Sequence, residues 1–170
     1  MKLLNIAKAA SLAALVASAA ACGTGDSAEQ HLARANQFIA KAEYKSAVLE
    51  LKNALQQDNK SAEARYLLGK VYLESGDVLS AEKELQRAID LGWPGEDITP
   101  LLAQALLAQG EYSRIRELDE TGLPPETAAT LLAAKSAAAL SQGDSRDAEA
   151  LASKALEKDP ASTDALLATA

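Results

Sequence analysis

With 170 residues, 17 Lys+Arg and 24 Asp+Glu, the chain is long enough for about one domain and carries a formal net charge of -7. Hydrophobic residues make up 48% and aromatic residues only 4%, and the apolar content is mostly Ala and Leu, which favours close-packed helices over strands. One Cys and one His exclude an internal disulfide and a Cys/His metal cage, no cofactor motif is present, and the acidic balance argues against nucleic acid as a partner.

The first predicted element is a leader at residues 1–22. Lys2 and Lys8 give it a positive end, and the uncharged run 9–21 closes in small residues before Cys22. That run falls short of the roughly 20 apolar residues that span a bilayer, so a secretory signal is expected rather than a membrane helix. The sequence Ala19, Ala20, Ala21, Cys22 resembles the lipobox of bacterial lipoproteins, which implies lipidation of Cys22; cleavage after an A-x-A site is the other reading. Gly23, not Asp, follows the cysteine, which by the same resemblance implies sorting to the outer membrane. Loss of the leader removes two lysines and no acid, so attachment is expected from acyl chains and not from a basic patch. Residues 23–27 read as a short linker.

Ser27 and Gln30 then form a capping box that opens a helix. Beyond it a repeat of about 34 residues organises the chain: Ala47 aligns with Ala81, Ala54 with Ala88, and Gly76 with Gly110. The segments 42–55, 76–89 and 143–156 stack as second helices of helix-turn-helix units, with Ala47, Ala81 and Ala148, then Ala54, Ala88 and Ala155, where helices approach closely. First helices precede them, marked by Leu32, Ala35, Phe38 and Ile39, by Tyr66, Leu68, Gly69, Tyr72 and Leu73, and by Leu102, Ala103, Leu106 and Leu107. Asp77 and Asp144 are expected N-caps following Gly76 and Gly143. Proline-containing segments 91–95, 121–125 and 159–160 end the units. No pair buries its own apolar face, so neighbours must stack. The third unit departs from the pattern, with Ile115 at an Ala position and Asp119 at an apolar one, and its second helix is expected to be brief.

Tyr66, Leu68, Gly69, Tyr72, Gly76, Ala81, Leu85, Ala88 and Ile89 resemble the tetratricopeptide repeat. The resemblance implies an all-α fold, an α-solenoid of units at 28–61, 62–95, 96–128 and 129–162, with 163–170 beginning a further one in a chain expected to be truncated. Residues 28–120, with the leader ahead of them, resemble more closely the TPR-repeat lipoproteins of the PEP-CTERM/exosortase system, of the PrsT type. That likeness implies a Gram-negative envelope protein found with exopolysaccharide biosynthesis and the sorting of PEP-motif proteins.

By the repeat resemblance, a partner-binding groove lined by first helices includes Leu32, Asn36, Tyr66, Lys70, Leu73, Leu101 and Gln104. Asn36 fits one position of the carboxylate clamp of chaperone-binding repeats, but Leu32 and Leu67 occupy others, so a helix or an extended peptide is the expected ligand. Tyr72 reads as core. His31 reads as a surface or edge histidine without catalytic partners. Glu82, Lys83, Glu84 and Arg87 read as a solvated face, and the adjacent carboxylates Glu96/Asp97 and Asp119/Glu120 point apart on a helix. No catalytic constellation emerges, and an enzyme would need a further domain. The expected function is a non-enzymatic protein-interaction scaffold held to the envelope membrane by lipid; the alternative is a lipoprotein assisting β-barrel or pilus secretin assembly.

Overall fold

The computed structural model describes residues 26–168; the leader, Cys22 and Gly23 lie outside them. Among the described residues every regular element is helical: α1 (Ala28–Ala40), α2 (Tyr44–Gln57), α3 (Ala62–Glu74), α4 (Val78–Asp90), α5 (Ile98–Gln109), α6 (Tyr112–Glu117), α7 (Pro125–Ser141), α8 (Ser145–Lys158) and α9 (Thr163–Ala168). No helix among them is long and apolar enough to cross a membrane. α1 packs on α2, α3 on α4 and α7 on α8, while α2 docks on α3 and α4 on α5, so the core runs along the array. This is an α-solenoid. The third pair is the weak one: α6 has only six residues, and α7 rests on both α5 and α6.

The helix ends form as the sequence dictates. Ser27 Oγ accepts from the Gln30 amide at 3.3 Å while Gln30 Oε1 accepts from the Ser27 amide at 2.8 Å. Asp77 and Asp144 cap α4 and α8, accepting from the amides of Ser80 and Asp147. Gly76 and Gly143 precede them at φ 81° and 84°, the left-handed region that a side chain disfavours.

The first unit breaks that rule. Ala42 stands 34 residues before Gly76 and adopts φ 56°. Its turn closes as the later one does, Glu43 N–H to Phe38 C=O at 2.9 Å matching Asp77 N–H to Tyr72 C=O at 2.9 Å. The left-handed form costs a residue with a Cβ about 1–2 kcal/mol, and glycine loses about 0.5–1 kcal/mol through its freer unfolded state. Ala42 is exposed, so no packing is lost. Ala42→Gly is therefore expected to stabilise the chain by about 0.5–1 kcal/mol, read as a raised urea midpoint; an unchanged or lowered midpoint would show the turn to be unstrained.

Small residues set the helix spacing. Ala47, Ala54, Ala81, Ala88 and Ala155 are fully buried and Ala148 is nearly so. Gly69 lies so close to α4 that a Cβ there would fall 2.7 Å from Leu85 Cγ, inside van der Waals contact.

One slot in the units changes chemistry along the array. In the first pair, His31 Nδ1 lies 2.6 Å from Glu50 Oε2, and Arg34 Nε donates to the same oxygen at 3.0 Å. These bonds, that to His31 foremost, hold the Glu50 carboxyl below its ordinary value. In the second pair Arg65, 34 residues after His31, donates to Glu84, 34 after Glu50, at 2.5 Å. His31 is thus buried, not a surface histidine, and Glu84 is buried, not part of a solvated face. Charge spacing within one helix does not register a cation reaching over from the preceding helix. Glu82 likewise bonds Arg114 of α6 at 2.6 Å, while Lys83 and Arg87 are exposed. In the fourth pair the slot holds Leu132 and Leu151, which pack in one apolar cluster with Ala129, Ala155 and Ala165 of α9.

Candidate functional site: the face of the first helices

Between α5, α7 and α9 lies a groove of about 820 Å³, every lining residue of which belongs to these three first helices or to Asp97 at the start of α5. Its floor is apolar, with Leu101, Leu107, Ala133, Ala134, Ala137, Leu140 and Leu167; Gln104, Thr127 and Thr130 offer hydrogen-bonding groups, and Asp97, Glu126 and Asp164 edge it. A volume of this order suits a peptide side-chain cluster or a helix face.

The repeat explains how the groove is built. Leu73 of α3, Leu107 of α5 and Leu140 of α7 follow one another at 34 and 33 residues, and Lys70, Gln104 and Ala137 do the same. Tyr66, Pro100, Ala133 and Leu167 form a third such row. A residue on one first helix therefore has its counterpart on the next, and the rows run across helices.

Of the seven residues expected in the groove, Leu101 and Gln104 line it. Leu32 and Asn36 lie on α1, the former half-buried against the N-terminal core and the latter exposed. Leu73 packs against the central core. Tyr66 is buried: Trp93 stacks on its ring, centroids 4.9 Å apart and planes 19° from parallel, and its hydroxyl donates to Asp97 at 2.5 Å. Burial, reinforced by that carboxylate, pushes the phenol well above its ordinary value of 10.0, so it stays a donor. Lys70 places its Nζ 6.0 Å from the same ring centre, in cation-π range. Trp93 reaches Tyr66 across the 93–95 turn, where Gly95 makes room: a Cβ there would meet the indole Nε1 at 2.2 Å. Tyr72 is half-buried against the N-terminal core, as a core position should be.

The residues of α7 and α9 in the groove escaped the sequence reading, although the rows that contain Leu73, Lys70 and Tyr66 would have reached Leu140, Ala137 and Leu167. The space exists because α7 carries alanines at 133, 134 and 137 where α3 carries Tyr66, Leu67 and Lys70.

Among the described residues no group of His, Cys, Asp and Glu is arranged to hold a metal. Glu120 pairs with the buried Lys135 across the 118–124 turn, and that bond keeps its carboxyl below the ordinary range. Asp119 instead accepts from the Thr121 amide at 2.9 Å.

An array of stacked helix pairs, with small residues at the crossings and first helices lining one face, defines a tetratricopeptide-repeat solenoid. A tetratricopeptide-repeat family model matches residues 38–91, from the end of α1 through α4. Two crystal structures of MamA superpose with TM-score 0.68 at 24% identity, each over 78% of this chain and over 78% and 73% of theirs. A structure of YrrB, described as a TPR protein with an unusual peptide-binding site, is 21% identical over 83% of this chain and 91% of its own, with TM-score 0.46. A search of the curated proteins finds no match.

Proposed function

We propose that the protein is a non-enzymatic scaffold that holds a protein or peptide against the face of its first helices, between α5, α7 and α9. The observation that carries this reading is the groove itself: an apolar floor, open to solvent at Leu140 and Leu167, edged by polar groups that satisfy a backbone or fix an orientation. We further propose that the scaffold is an envelope lipoprotein anchored through Cys22, on the periplasmic side and in the outer membrane. Its place there is in exopolysaccharide export or the sorting of PEP-motif proteins. The leader with its terminal cysteine and the resemblance of residues 28–120 support this.

Crosslinking capture from the native envelope, with the full-length protein as bait, tests both parts. Ala137→Trp, with Gln104→Trp as a second variant, fills the groove and is expected to abolish capture while the helical circular dichroism spectrum is kept. Capture that survives both substitutions would place the partner elsewhere. Exopolysaccharide-export or sorting components in the captured set would support the proposed process; barrel-assembly or secretin components would move the protein to the alternative role. In the same cells Cys22→Ser should shift the protein from the membrane to the soluble fraction, and retention in the membrane would refute the anchor.

A further inference from the structure

The edge of the groove carries one sign of charge. Asp97, Glu126 and Asp164 line it, and no lysine or arginine does. Among the described residues none of these three carboxylates takes part in an ion pair, whereas Glu50, Glu82, Glu84, Glu120 and Asp147 each face an arginine or lysine. Lys70, toward the N-terminal end of the same face, lies over the Tyr66 ring one unit away.

Acids at helix starts have an ordinary explanation, since a carboxylate in the first turn complements the macrodipole. Glu29 and Glu63 fill that role in α1 and α3. The edge of the groove differs in what lies beside it. Leu140 and Leu167 are 58% and 76% exposed, so an open apolar strip runs between carboxylates that form no ion pair with any cation among the described residues. An acidic partner would bring like charges together as the groove loses water, which opposes binding; a cationic one would neutralise them in the same step.

We propose, resting on the groove reading above, that the segment docking between α5, α7 and α9 is a cationic amphipathic one, with apolar side chains on the floor and lysine or arginine against Glu126 and Asp164. The acidic balance of the whole chain would add to its rate of encounter.

The test uses the full chain and two labelled peptides of about 18 residues, five helical turns, one patterned Leu/Lys and one Leu/Glu, followed by fluorescence anisotropy. The Leu/Lys peptide should bind at least about tenfold more tightly, and its affinity should fall between about 0.05 M and 0.3 M salt as screening rises. Glu126→Gln combined with Asp164→Asn should weaken it about tenfold with an unchanged circular dichroism spectrum. Glu74→Gln combined with Glu149→Gln, the same charge change away from the groove, should leave it within about twofold. An equal loss from both pairs would reduce the effect to net charge and overturn the proposal. Equal or tighter binding of the Leu/Glu peptide, abolished by Ala137→Trp, would overturn the charge assignment and leave the groove reading intact. Failure of both peptides to bind overturns the proposal, and if Ala137→Trp and Gln104→Trp both leave envelope capture unchanged, the groove reading falls with it.

Discussion

Leu85→Ala is expected to lower the free energy of unfolding by about 3–5 kcal/mol, the upper part of the range for a buried leucine. The side chain is fully buried and belongs to the central core with Tyr66, Leu102 and Leu106. Its other side rests on α3 at Gly69, where no side chain can swing in to fill the space. The cavity therefore stays open, and an open cavity adds to the lost transfer energy. Urea unfolding followed by circular dichroism measures the loss. A companion substitution gives the mechanism a sign. In the wild-type chain Gly69→Ala drives a methyl against Leu85, a strain of about 1–3 kcal/mol that outweighs the roughly 1 kcal/mol gain in helix propensity. With Leu85 reduced to alanine the methyl has room and the propensity gain remains. Gly69→Ala should thus destabilise one background and stabilise the other. Additive effects would mean that α3 and α4 relax apart, and that the contact is not the constraint it is argued to be.

The repeat made most of the fold legible. Gly76 and Gly143, the alanine pairs of the second helices and the capping residues recur at one period, because each unit solves the same packing problem. Even the brevity of α6 was legible, from Ile115 in a small-residue position and Asp119 where an apolar side chain was needed. What escaped was interaction between side chains on different helices. The stack of Trp93 on Tyr66 joins residues 27 positions apart through a turn that depends on Gly95. His31 has Arg34 beside it in α1, but its Nδ1 also meets Glu50 in α2. The groove shows the same limit. Residues of α1 and α3 were chosen by position within the repeat, but a groove needs volume as well as position. Volume appears where α7 replaces Tyr66, Leu67 and Lys70 by alanines, a feature of size that the repeat pattern does not mark. Within α5 both conditions hold, and Leu101 and Gln104 line the groove.

Glu84→Gln is expected to cost about 1–3 kcal/mol, while Arg65→Leu combined with Glu84→Leu should return the chain to within about 1 kcal/mol of the wild type or beyond it. The Glu84 side chain is 9% exposed and that of Arg65 17%. The amide keeps the shape of the carboxylate but leaves the guanidinium partly buried without a counter-charge, and Arg65 Nε already lacks a partner. Such a loss measures the cost of an uncompensated cation more than the value of the pair. The double change removes both charges together. Arg87 also touches Glu84, at 3.2 Å, but it is exposed and solvent replaces that contact at little cost. The array itself supplies the precedent: Leu132 and Leu151 hold the equivalent positions of the fourth pair, with the same 19-residue separation as Arg65 and Glu84, and pack there in an apolar cluster. A double-mutant cycle on urea unfolding decides the matter. If the leucine pair loses as much as the two single changes summed, the slot in the second unit is shaped for charge; if it recovers, the ion pair and the leucine pair are interchangeable solutions to filling one gap between a first helix and a second.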